Sequence, residues 1–166
     1  MKNLVDLNLK CEDFLKNNRH LYAHKAGRKK IALISIEAAN EKSGDVRLVL
    51  GAARLIAGGQ SHNVEPPAVI IRKLSEFTWD FLLYSIIDFQ PVLAAVDAFF
   101  LLTGPLYNRR LRKQLRLLSD GEMLLGPGEC KQAIVGFRGV SRGAQELELS
   151  YCSPDGEQRK LQCAIR

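Results

Sequence analysis

No C-x-x-C pair, no phosphate-binding loop and no internal repeat occurs in this 166-residue chain. Cys11, Cys130, Cys152 and Cys163 are widely spaced, which argues against a structural zinc site. Each falls in or beside an expected strand, so buried thiols acting as small apolar residues are the plainer reading. One disulfide involving Cys152 or Cys163 stays open if the compartment is oxidising. A turn at Pro154-Asp155-Gly156 does not set those two opposite each other. Gly139-Val140-Ser141-Arg142-Gly143 has the letters G-x-S-x-G, but it stands between two expected strands and not at a strand-to-helix elbow. Neither Ser141 nor Ser153 has a histidine near it in sequence, so a serine hydrolase has no support. Gly51, Gly126 and Gly128 are isolated glycines with no phosphate loop following. The N-terminus, MKNLVDLNLKCEDF, alternates apolar and polar residues and has no unbroken core of the kind that makes a secretory signal.

What is there suits a folded domain. Hydrophobic residues make up 46% and charged residues 25%, too apolar a balance for disorder. The length fits one domain, residues 1–166, carrying an insertion at about 74–118. A formal charge of +6 favours acidic partners without choosing among lipid, nucleic acid and protein.

Strand periodicity dominates both ends. Val5, Leu7 and Leu9 alternate within Asn3–Cys11. Glu12–Lys30 reads as a mostly polar loop with a short helical turn. Ala32, Ile34, Ile36 and Ala38 share one face of Lys30–Ala39, with Ile31 and Leu33 on the other, as in a strand buried on both sides. Asn40–Asp45 is a turn. Val46–Ala57 is a strand running into an irregular second piece. Gly58–Pro67 is a loop, and Ala68–Arg72 one more short strand. After Ser119-Asp120-Gly121 the alternation returns in Met123–Leu125, in Ala133, Val135 and Phe137, and in Leu147, Leu149 and Tyr151. A last strand carries Leu161, Cys163 and Ile165. Seven or eight short strands predict an antiparallel β-sandwich.

Between the strand blocks the period becomes helical. Phe81–Tyr107 is long enough to cross a bilayer, but Asp88, Gln90, Pro91 and Asp97 interrupt it. Each central aspartate costs about 2.5–3.5 kcal/mol on insertion scales. Pro91 also disfavours helix at Gln90. The pattern therefore predicts two apolar helices joined near Phe89–Pro91, a hairpin that meets a membrane interface or partner, or packs on the domain. Its large side chains, Phe81, Leu82, Leu83, Phe89, Phe99, Phe100, Leu101 and Leu102, are too much apolar surface to leave wet. Asn108–Leu118 then reads as a basic helix. Leu111, Leu115 and Leu118 keep helical spacing, and Arg109, Arg110, Arg112, Lys113 and Arg116 surround them. Such a cluster attracts anionic head groups at about 1 kcal/mol per cation.

Other candidates are weaker. His20 and His24, with His62 or Glu12, could hold a metal, but a solvated loop explains them. Asp88 and Asp97 would have raised pKa values in apolar surroundings and could serve acid–base work. Helix capping or pairing with Arg109 or Arg110 explains them as well. Lys25, Arg28, Lys29 and Lys30 with the basic helix could form a nucleic-acid face, yet only Tyr22 and Tyr107 are near enough for stacking. No cofactor, metal or nucleic acid is expected.

Two fragments carry a resemblance. IALISIEAANEKSGDVRLVL at Ile31–Leu50 has a strand ending in an Asn-x-x-Ser turn. LLGPGECKQAIVGFRG at Leu124–Gly139 has a Pro-Gly-Glu turn leading into a strand that ends in Gly-Phe. Together they resemble uncharacterised bacterial Ig-like domains of the cell envelope, which often carry an apolar insertion followed by an Asn-then-basic helix. The resemblance implies an Ig-like fold and an envelope location, and brings no catalytic residues. The expectation is a non-enzymatic scaffold or interaction domain, membrane-associated, whose hairpin meets a membrane surface, a protein or a second copy of the chain. The alternative is a module for a lipid or small apolar ligand, with the hairpin as its lid.

Overall fold

A computed structural model describes residues 7–17, 22–41, 44–75, 91–140, 144–153 and 156–165. The strands are β1 (Leu7–Asp13), β2 (Ile31–Asn40), β3 (Val46–Ala57), β4 (Gln60–Asn63), β5 (Glu122–Leu125), β6 (Cys130–Arg138), β7 (Ala144–Cys152) and β8 (Gln158–Ala164). The helices are α1 (Phe14–Asn17), α2 (Ala23–Arg28), α3 (Pro67–Leu74) and α4 (Pro91–Gln114). The chain divides into two compact units, residues 1–70 with 117–166, and residues 71–116.

The first unit is a sandwich of two antiparallel sheets. One has the order β1-β2-β6. In the other, β3 pairs with β7 along one flank and with both β5 and β4 along the opposite flank, and β8 closes the far edge on β7. Period-two alternation drives this arrangement. Ile34, Ile36 and Ala38 of one sheet and Leu48, Leu55, Leu147 and Leu149 of the other share one buried core. Each such side chain contributes about 1.5–3 kcal/mol on leaving water. β3 shows how the irregular second piece is accommodated. Val46, Leu48 and Leu50 point inward, Gly51 and Ala52 are both exposed, and Ala53, Leu55 and Ala57 point inward again. The pairing with β7 jumps between Val49 and Arg54, so a bulge resets the phase and one strand continues.

The sheet β1-β2-β6 is also covered on its outer side at one place. Leu33 and Ile134 are buried there, and a Cβ on Gly136 would sit 2.8 Å from Ile70 Cγ1 on α3. α3 replaces the short strand expected at Ala68–Arg72. Pro67 presets the first helical turn, and Ile70 and Leu74, four apart and both fully buried, set a helical face. A five-residue apolar run is short enough to fit either period.

The two turn fragments singled out in the sequence meet in space. Asn40, 1% exposed, donates from Nδ2 to the carbonyls of Gly44 (2.8 Å), Leu125 (3.1 Å) and Gly126 (3.1 Å). Its own N–H reaches the Glu129 carbonyl at 3.0 Å, and its carbonyl accepts from Gly128 N–H at 2.9 Å. Gly128 has φ +71°, the left-handed value the Pro127-Gly128 turn requires. The Glu129 carboxylate accepts from Gly126 N–H at 2.9 Å and pairs with Lys131. These contacts, the backbone hydrogen bond first, hold its pKa below the usual glutamate value.

Candidate functional site

α4 begins at Pro91 and runs without a break to Gln114. The second apolar piece and the basic segment, expected as separate helices, are thus one element. Pro105 lies inside it and removes one donor to the carbonyl four residues before. Phe99, Phe100, Leu101 and Leu102 fall on this helix; Phe81, Leu82, Leu83 and Phe89, the first arm of the expected hairpin, lie outside the described residues, as does Asp88.

From Thr103 onward the helix has two faces. Gly104, Leu111 and Leu115 are buried, spaced by seven and four residues, and Asn108 between them is half-buried. Tyr107 anchors the same stretch by donating its hydroxyl to the Leu74 carbonyl at 3.2 Å. The opposite face carries Arg109, Arg110, Arg112 and Lys113, and Arg116 follows in the turn just beyond the helix, all exposed. Leu106, 60% exposed, sits among them, three, four and seven residues before Arg109, Arg110 and Lys113. It projects from the cationic face and not with the buried leucines.

The electrostatics of this face are one-sided. From Ala98 to Ser119 the sequence has no aspartate or glutamate. Arg109 and Lys113, four apart on the helix, repel by about 0.2–0.5 kcal/mol. The negative end of the helix dipole offsets part of that. An anionic surface would relieve the rest. The helix does not form a span: among the described residues no helix is long and apolar enough to cross a membrane.

The remaining sequence candidates are scattered. His62 lies on β4 and Glu12 on β1, and His20 falls outside the described residues. Among the described residues no group of three or more His, Cys, Asp or Glu side chains is placed to hold a metal. Cys152 stands opposite Gln158 in the β7–β8 hairpin and Cys163 opposite Leu147. Cys11, on β1, lies close to Cys163, a neighbour that no local sequence spacing signals.

No protein-family model matches the chain, and no curated protein sequence does. Among solved structures, the ASH/PapD-like domain 7 of human CEP192 aligns at 10% identity over 96% of this chain and 82% of that one, with a TM-score of 0.34.

Proposed function

We propose that the chain is a non-enzymatic interaction domain, a sandwich of the Ig-like kind that docks peripherally on an anionic lipid surface through α4, in a bacterial cell envelope. One observation carries this reading: from Thr103 onward, four exposed cations and an exposed leucine share one face of α4 opposite the buried Gly104 and Leu111, and Arg116 follows in the turn beyond it. Cations near an anionic surface are worth about 1 kcal/mol each, and Leu106 adds part of the roughly 1.5–3 kcal/mol of a buried leucine. Affinity of that size gives reversible, salt-sensitive attachment, not insertion.

Flotation of the full chain with phosphatidylcholine vesicles, with and without phosphatidylserine, tests this. Binding is expected only with the anionic lipid and should fade at 0.5 M salt, where the screening length is about 4–5 Å. Arg109→Gln with Lys113→Gln should weaken it about 30-fold, and Leu106→Ser several-fold. Equal flotation with neutral vesicles, or no response to these substitutions, removes the reading. Capture of an acidic protein in place of vesicles would transfer the same face to a protein partner.

A further inference from the structure

Cys11 on β1 and Cys163 on β8 come from the first and last strands of the sandwich, and both are buried, at 1% and 8% exposure. The two strands run side by side where they meet. Cys11 bridges Ile165 in parallel, and Cys163 Sγ lies 3.8 Å from the Leu9 carbonyl oxygen. With Cys11 opposite Ile165, Cys163 lies two residues along on the same face, so the two thiols are near neighbours. The other two cysteines have different surroundings. Cys130 is exposed, with Sγ 3.8 Å from Glu37 Oε1, and Cys152 stands between Arg47 and Gln158 on neighbouring strands.

We propose that Cys11 and Cys163 are a dithiol site that reacts with a small disulfide oxidant, such as glutathione disulfide, and closes into a bond tying the first strand to the last. One protein thiol gives up its proton, and its thiolate attacks a sulfur of the oxidant. That breaks the oxidant's S–S bond, forms a mixed disulfide and releases one glutathione thiolate. The second protein thiolate then attacks the protein sulfur of the mixed disulfide and releases the other. Two protein S–H bonds are lost and one protein S–S bond is gained. Two electrons pass to the oxidant, and both protons end on the two glutathione thiols.

Cys163 is the entry point. It lies on the edge strand, its neighbours Gln162 and Ala164 are exposed, and it is the less buried of the pair. Cys11 is the resolving partner. Contact with the Cys163 side chain, burial and the neighbouring sulfur's charge all push its thiol above the ordinary range, so it attacks slowly until the mixed disulfide is in place. The bond would close nearly the whole chain into a loop, the case in which a cross-link restricts the unfolded state most.

The test uses the full chain with Cys130→Ser and Cys152→Ser, equilibrated in glutathione buffers from reducing to oxidising. The expected product has lost two hydrogens by mass, yields a Cys11–Cys163 linked peptide, and melts roughly 10 °C higher than the reduced form. A reductant should reverse the shift, and Cys163→Ala should abolish it. The unsubstituted chain, mapped by peptide mass, gives the same readout should the double variant fold poorly. Persistent glutathione adducts, dimers linked between chains, or thiols that stay reduced at the oxidising end each overturn the proposal.

Discussion

Replacing Asn40 tests whether one amide holds the two turns of the sandwich together. Its Nδ2 has two hydrogens shared among the carbonyls of Gly44, Leu125 and Gly126, and the bond to Leu125 is buried. Asn40→Ala removes both donors, at about 1 kcal/mol net each. It also leaves a buried carbonyl without that donor, at about 1–3 kcal/mol. The sum is about 3–5 kcal/mol, or roughly 6–20 °C in melting temperature for a chain of this size. Asn40→Asp keeps the volume but turns the donor into a carboxylate facing three carbonyl oxygens. It should cost more than the alanine, about 5 kcal/mol or above. The sign of its pH dependence is also fixed. Burial among carbonyls raises the folded-state pKa of the new carboxyl above its unfolded value. The penalty is therefore absent below the unfolded pKa and complete above the folded one, so acidification from pH 7 should recover part of the loss. Urea unfolding followed by far-UV circular dichroism at pH 7 and pH 4.5 measures both effects. An aspartate variant as stable as the alanine at pH 7 would show that the side chain fills space and that its donors are immaterial.

Two further substitutions probe separate features. Gly136→Ala places a methyl 2.8 Å from Ile70 Cγ1 and should destabilise by about 1–3 kcal/mol. Thermal melts of Gly136→Ala, Ile70→Ala and the double variant should then give a double less impaired than the sum, whereas simple additivity would refute the clash. Glu129→Gln concerns the acid limb. Because the folded-state pKa of Glu129 is lowered, its contribution is present above the ordinary glutamate value and lost as pH falls through the folded one. The variant should lose stability less steeply on acidification than the parent, as read by melts between pH 3 and pH 7, and identical pH profiles would dismiss the effect.

Much of the sandwich was legible in residue alternation, because a half-buried strand imposes a period of two on its own sequence. The expected ends of β3, Val46 and Ala57, are the observed ones, and β2, β5 and β7 lie within a residue or two of their expected positions. α3 differs from the expected strand because Ala68–Arg72 is short and apolar, and only the burial of Leu74 beyond it completes a helical face. β4 was missed for the opposite reason: Gln60–Asn63 has no apolar residue, so its pairing with β3 comes from a two-glycine turn and carries no hydrophobic signature. At the candidate site the cations and inward leucines could be read from their spacing. The exposure of Leu106 could not, because a leucine in an apolar stretch reads as buried until its neighbours are placed. Nor could the meeting of Cys11 with Cys163, a contact between chain ends that depends on the complete strand order.

The outer rim of β6 has a consequence for how this chain can change. Val64, just before the helical stretch departs, bridges Phe137, and Leu118, where the chain returns, bridges Ile134. Departure and return are thus stitched to one strand three residues apart, about 10 Å along its length. Both contacts are made by residues of the sandwich unit itself. Lengthening or trimming the stretch between them should change chain entropy only logarithmically. Such a mount lets a lineage swap attachments while the framework beneath keeps its register.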